Sequence, residues 1–156
     1  MEIHESIRKI MFELGEHKGY VVNPICLQEY IFKFLQQTYP KNKMNSVMAR
    51  NVSYVFAVLC NEFYLINLNR VAVKTFYIKH ERLIEMNIKQ KMLESSLKIL
   101  KKMLLVEYKN MPHPNLPYSY IRVYKINILR LAEIKGEILN KDDAYSLLLD
   151  TTSKDS

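Results

Sequence analysis

Residues 86–106 read MNIKQKMLESSLKILKKMLLV. Leu93, Leu97, Leu100 and Met103 recur at spacings of three and four, so they form the apolar stripe of a helix over about 90–103. Gln90, Lys91, Glu94, Ser95, Lys98, Lys101 and Lys102 fall off that stripe. Before it, Asn87-Ile88 predicts a turn, because Asn tolerates the left-handed backbone better than most residues. Upstream, 79–86 predicts a short helix with Leu83, Ile84 and Met86 inward. Downstream, 104–109 predicts a strand and 118–126, YSYIRVYKI, alternates as a second. The connector between them, 110–117, holds three prolines. The segment therefore reads helix, turn, helix, hairpin.

Working outward, 128–139 predicts a last helix, and the tail beyond it is polar apart from 145–149. On the other side, the β-branched and aromatic run 71–78 predicts a short strand. Residues 46–65 form the most apolar helix, one suited to a central core or to a shared subunit interface, and Asn67-Leu68-Asn69 breaks it. Asn23 and Pro24 mark a helix start, an Asn cap followed by a first-turn proline, for a helix reaching about Thr38. Residues 20–22 are extended, and 2–14 predict a first helix that Gly15 ends. The fold class is mainly α with a small β-hairpin (α+β). We divide the chain into an N-terminal helical extension packed on the core (1–45), a central domain (46–140) and a polar C-terminal tail (141–156).

The 156 residues are 49% apolar, enough for one ordinary core. Basic residues number 23 and acidic 16, leaving a net charge of +7. Between residues 79 and 135 there are twelve basic and five acidic residues, which is +7; the rest of the chain has eleven of each. The whole excess lies on the helix–turn–helix–hairpin segment and the start of the last helix. Such placement suggests a polyanionic partner; the bland alternative is a solvated face.

Enzyme chemistry finds little support. The three glycines allow neither GxGxxG nor GxxxxGK[ST]. No histidine lies one helical turn from another or from a cysteine, and His80-Glu81 fails the HExxH pattern because Ile84 stands fifth. We expect no enzyme, no metal and no cofactor. Cys26 and Cys60 sit in apolar stretches and read as reduced core residues. The longest apolar run, 55–60, is too short to span a bilayer, and MEIHESIRKI has no signal-peptide core. The expectation is a cytoplasmic protein without a membrane partner.

Residues 86–106 resemble the recognition-helix region of winged helix–turn–helix domains, which commonly read L-G-I-S-x-x-T-V-x-x-A-L-x-x-L-x-x-x-G-L-I. Met86, Ile88, Leu93, Ser96, Leu97, Leu100, Leu105 and Val106 fill corresponding positions, and YKNMPHPNLPYSYIRVYKIN looks like the wing. GYVVNP at 19–24 and SYVFAVLCNEFY at 53–64 are similar to the N-terminal domain of Gram-positive plasmid replication initiators and phage replisome organisers. The resemblance covers about 19–127. It implies a winged helix–turn–helix with extra N-terminal helices and a C-terminal helix. Three positions depart from the pattern. Asn87 replaces the turn glycine, which is tolerable; Lys89 replaces the Ser cap; and Leu104 replaces the glycine near the helix end, which argues against a tight left-handed exit.

The resemblance implies sequence-specific binding of double-stranded DNA, in plasmid or phage replication, conjugative DNA processing or transcriptional regulation. Gln90, Lys91, Glu94, Ser95 and Lys98 are candidates to face the DNA, since Gln can read adenine, Lys guanine or phosphate, and Glu can accept from cytosine. Lys89, which opens that helix, is a further DNA-binding candidate. Lys101 and Lys102 reach backbone phosphates, as can Lys79 and His80 at the start of the preceding helix. In the wing, His113, Asn115 and Arg122 can approach a minor groove or the backbone, while Tyr118, Tyr120 and Tyr124 alternate on one face for hairpin packing. A homodimer fits the surplus of apolar surface on 52–64 and the N-terminal helices. The alternative function is a protein–protein interaction module of the same fold without DNA.

Overall fold

The structure, a computed structural model, describes residues 2–14, 17–18, 21–22, 25–68 and 73–139, with 17–18 and 21–22 as backbone. The Gly15 stop, the Asn23-Pro24 start, Asn69 and the polar tail lie outside the described residues. The architecture is mainly helical with a small antiparallel hairpin, an α+β arrangement.

Helix α1 (Ile3–Glu13) buries Ile7 and Met11 from one face. A two-residue pairing follows, β1 (His17–Lys18) with β2 (Val21–Val22). Only the second of these fell in the expected extended stretch. Helix α2 (Ile25–Thr38) buries Leu27, Ile31 and Leu35, one residue per turn. The buried Asn45 side chain, from the start of the next helix, ties down its end: Nδ2 donates to Leu35 O at 3.4 Å, to Tyr39 O at 2.8 Å and to the Gln36 side-chain Oε1 at 2.6 Å.

Helix α3 (Asn45–Leu68) is the centre of the molecule, and its unbroken run Val55–Cys60 is buried on every side. It packs against α1, α2 and the later helix α5. α3 runs past its expected end at about 65, through Asn67 to Leu68, within the expected Asn67-Leu68-Asn69 break, of which Asn69 lies outside the described residues. The reason is that Asn67 is buried and doubly used: Nδ2 donates to Phe63 O at 2.9 Å, and Oδ1 accepts from Val73 N–H at 2.7 Å. Of the predicted strand, the described part makes one isolated bridge, Phe76 with Tyr124. There the two backbones exchange hydrogen bonds of 3.1 and 2.7 Å, and Phe76 stacks on Phe63 at 5.1 Å.

Helix α4 (His80–Glu85) buries Leu83, but Ile84 points to solvent rather than inward. Ile84 lies about 100° round the helix from Leu83, on the side that faces solvent. Two ties hold α4 to α3. Arg82 Nε donates to Glu62 Oε1 at 2.7 Å, and Tyr54 OH donates to Met86 O at 2.7 Å. The Glu62 and Glu85 carboxylates hold the Arg82 guanidinium above its ordinary pKa.

Helix α5 (Gln90–Lys102) buries Leu93, Leu97 and Leu100 as its period requires. Both α4 and α5 end in the same cap, in which one residue turns left-handed and two amides return to the last turn. After α4 it is Asn87, φ 61°, with Ile88 N–H donating to Leu83 O at 2.9 Å. After α5 it is Leu104, φ 63°, with Leu105 N–H donating to Leu100 O at 3.0 Å. The left-handed exit disfavoured by Leu104 therefore forms. Leu100 and Leu105 are both fully buried beneath it, and their packing outweighs a local cost of about 1–2 kcal/mol.

Because Leu104 and Leu105 belong to this cap, the first hairpin strand starts later than expected. β3 (Val106–Pro112) pairs antiparallel with β4 (Tyr120–Ile126), from Val106 opposite Ile126 to Pro112 opposite Tyr120. Pro112 is accommodated at the ladder's end. Tyr120 and Tyr124 share one face of β4, as alternation predicts, but only Tyr124 is buried; Tyr118 lies outside the strand, in the loop, fully exposed at φ 65°. Residues 128–139 form the last helix, α6, capped by Asn127 Oδ1, which accepts Arg130 N–H at 3.2 Å. α6 buries Leu131 and Ile134 and is tied to α1 by Lys135–Glu13 and to α2 by Tyr30 OH–Glu137 at 2.6 Å. Among the described residues no helix is long and apolar enough to cross a membrane.

Candidate nucleic-acid interface

Once Leu93, Leu97 and Leu100 are committed to the core, the rest of α5 has one way to face. At about 100° per residue, Gln90, Lys91, Glu94, Ser95, Lys98, Lys101 and Lys102 fall within an arc of about 140° opposite the stripe. Gln90, Lys91, Lys98, Lys101 and Lys102 are exposed; Glu94 and Ser95 are half-buried. Lys89 is the extended N-cap residue, and its side chain gives the first-turn amides of α5 no hydrogen bond.

A groove of about 460 Å³ runs between the start of α4, the first turn of α5 and the hairpin. It brings together five of the residues picked out from sequence: Lys79, His80, Gln90, His113 and Arg122. They span more than forty positions of sequence and meet because the hairpin folds back beside α5. Tyr77, Asn110 and Tyr120 also line the groove, and the sequence did not single out the first two.

Lys91, Lys98, Lys101 and Lys102 lie along the outer face of α5, beyond the groove. Lys101 Nζ sits 5.5 Å over the Tyr108 ring, and Lys102 Nζ 4.8 Å over the Tyr39 ring, with a hydrogen bond to its hydroxyl. Nothing local in the sequence links Lys102 to Tyr39, 63 positions away. Tyr108 was findable, since period-two alternation puts it on the same hairpin face as Val106.

Two candidates contact each other. Arg122 Nη1 meets Glu94 Oε1 at 2.6 Å, and the same oxygen accepts Gln90 Nε2 at 2.8 Å. Arg122 also lies 5.3 Å over Tyr108. Burial pulls the Arg122 pKa down, but the hydrogen bond to Glu94 and the neighbouring charges outweigh it and the net shift is upward. Ser95 is spent internally, its hydroxyl donating to Lys91 O at 2.9 Å. His113 organises the wing tip: Nδ1 accepts the amides of Asn115 and Leu116 at 3.0 and 3.1 Å. Asn115 itself is exposed beside it.

Within residues 79–135 the charges sort largely by residue type. Arg82, Arg122 and Arg130 each face at least one carboxylate, as does Lys135. Among the described residues Lys79, Lys89, Lys91, Lys98, Lys101, Lys102, Lys109 and Lys125 make no ion pair. Within 79–135 the arginines are thus taken up by carboxylates, and the basic charge left without an ion pair is carried by lysines on α5 and around it.

Cys60 is fully buried at the centre of α3, and burial pushes its thiol pKa strongly upward, which suits packing and not nucleophilic attack. Among the described residues no group of three His, Cys, Asp or Glu side chains is placed to hold a metal ion. Comparison of the chain with protein-family models, with curated proteins and with solved structures gives no match in any of the three.

Proposed function

We propose that this chain is a winged helix–turn–helix protein that binds double-stranded DNA with sequence preference. The observation that carries the reading is the outward face of α5, where four lysines without ion pairs share one arc beside a groove floored by the hairpin. Element order supports it: a core helix, a bridge strand, two helices joined at Asn87, then a hairpin whose second strand takes the bridge. In this reading α5 enters the major groove, with Gln90 and Lys91 in its first turn nearest the bases. Lys79, Lys98, Lys101 and Lys102 engage phosphates. The wing tip, stiffened by His113 and three prolines, lies against the adjacent backbone or minor groove. No catalytic step, metal or cofactor is assigned. The process is replication, conjugative transfer or transcriptional control of a plasmid or phage, as the resemblance implies. A homodimer cannot use the apolar residues of 52–63, which the fold buries within the chain, and would draw on exposed apolar positions of the N-terminal helices such as Ile25 and Phe32.

A second reading has its own observation. Met111, Leu116, Tyr118 and Tyr120 leave the hairpin tip apolar and exposed, which suits a protein partner. A mobility shift separates the two. Retardation of a random-sequence duplex at low salt supports DNA binding, and no retardation at any concentration favours the interaction module.

A further inference from the structure

The Glu94 carboxylate stands where a DNA-facing helix least wants negative charge. It is also doubly occupied, because one oxygen accepts both Arg122 Nη1 at 2.6 Å and Gln90 Nε2 at 2.8 Å. Arg122 comes from β4 and the other two from α5, so the contact crosses from wing to helix. Building on the DNA-binding reading, we infer that Glu94 and Arg122 are positioning residues that set the amide of Gln90 to prefer adenine over guanine.

The argument is one of donors and acceptors. An ionised carboxylate only accepts hydrogen bonds, so Gln90 must turn its NH2 end toward Glu94, and its oxygen end is thereby fixed. One amide hydrogen is spent on Glu94. The remaining hydrogen and the carbonyl oxygen give one donor and one acceptor. Adenine's major-groove edge offers the complement, an acceptor at N7 and a donor at N6. Guanine offers two acceptors, N7 and O6, and its O6 meets the fixed amide oxygen. An amide free to flip can also turn its NH2 end to guanine O6, which erodes this discrimination. Arg122 neutralises the carboxylate and holds it against the hairpin, so Glu94 orients the reader without repelling phosphate. Its part here is orientation, not acceptance from cytosine.

The test is selection from a library of duplexes with a randomised core, using wild-type protein, Gln90→Ala and Glu94→Gln. A Gln at 94 can donate or accept, so it removes both the charge and the fixed orientation. Wild type is expected to select adenine over guanine at one position by about 10- to 100-fold. Both variants should bring that ratio close to one. Glu94→Gln should bind a scrambled duplex as tightly as wild type or more tightly, because a negative charge has gone. A merely structural Glu94 gives the opposite result, weaker binding to every sequence with the ratio intact, and that overturns the inference. So does a ratio that Gln90→Ala abolishes but Glu94→Gln preserves, or a wild-type preference that neither variant changes. Failure of wild type to retain any duplex in the library strikes the DNA-binding reading itself and is seen before the variants are compared.

Discussion

Helices α3 and α5 pack against each other, yet they carry their residues in opposite ways. α3 is buried on nearly every side, with Val52, Phe56, Val58 and Leu59 shielded in all directions. α5 buries one stripe and turns a lysine-rich arc outward. Over 55–60 the helix is enclosed by protein and leaves no surface for a partner, so that stretch answers to packing alone. A helix anchored along one line can hold charged side chains in fixed register, so α5 answers to packing and to whatever the charge meets. Burial and chemistry therefore separate cleanly between two neighbouring elements.

The largest expected effects test that division. Phe56→Ala on α3 should cost about 3–5 kcal/mol and Leu97→Ala on α5 about 2–5 kcal/mol, both read from denaturant unfolding. An unchanged midpoint for Leu97→Ala would mean that its stripe faces water. The cap that ends α5 comes next. Leu104 is exposed and left-handed, so Leu104→Gly should raise stability by up to about 1 kcal/mol despite removing a leucine. A loss instead would show that Leu104 makes contacts the α5 exit depends on. The smallest effect on folding belongs to the outward face. Lys101→Ala with Lys102→Ala should change stability by less than about 1 kcal/mol, the worth of their exposed contacts with Tyr108 and Tyr39. The same pair should weaken binding to all duplexes similarly and flatten the salt dependence by about 2 log units per log unit of salt. A large loss of stability would make the α5 arc structural and erase its contrast with α3.

What could be read in advance follows the range of each interaction. The α5 stripe and the turn at Asn87 rest on neighbours within one or two helical turns, and both are visible as period and residue type. Leu104 was misread because its left-handed backbone is enforced by burial of Leu100 and Leu105, which local propensity does not register. Ile84 lies about 100° round α4 from the buried Leu83, and that side of the helix faces solvent, which residue type alone does not reveal. At the candidate site, the residue types were visible but their partners were not. Arg122 meets Glu94 only through the register of β3 on β4 and the approach of the hairpin to α5. Until that register is known, both residues read as free charges. The Lys102–Tyr39 contact joins α5 to the end of α2 and leaves no trace in either local sequence.

The central claim is that the unpaired lysines on and around α5 form a phosphate-binding surface, and salt tests it most directly. The affinity of the full chain for one duplex should be measured across a range of monovalent salt concentrations. If about six of the eight lysines without ion pairs contact phosphates, the logarithm of the binding constant should fall against the logarithm of salt with a slope of roughly −5. A slope near zero with binding retained, or no binding at low salt, would contradict the claim.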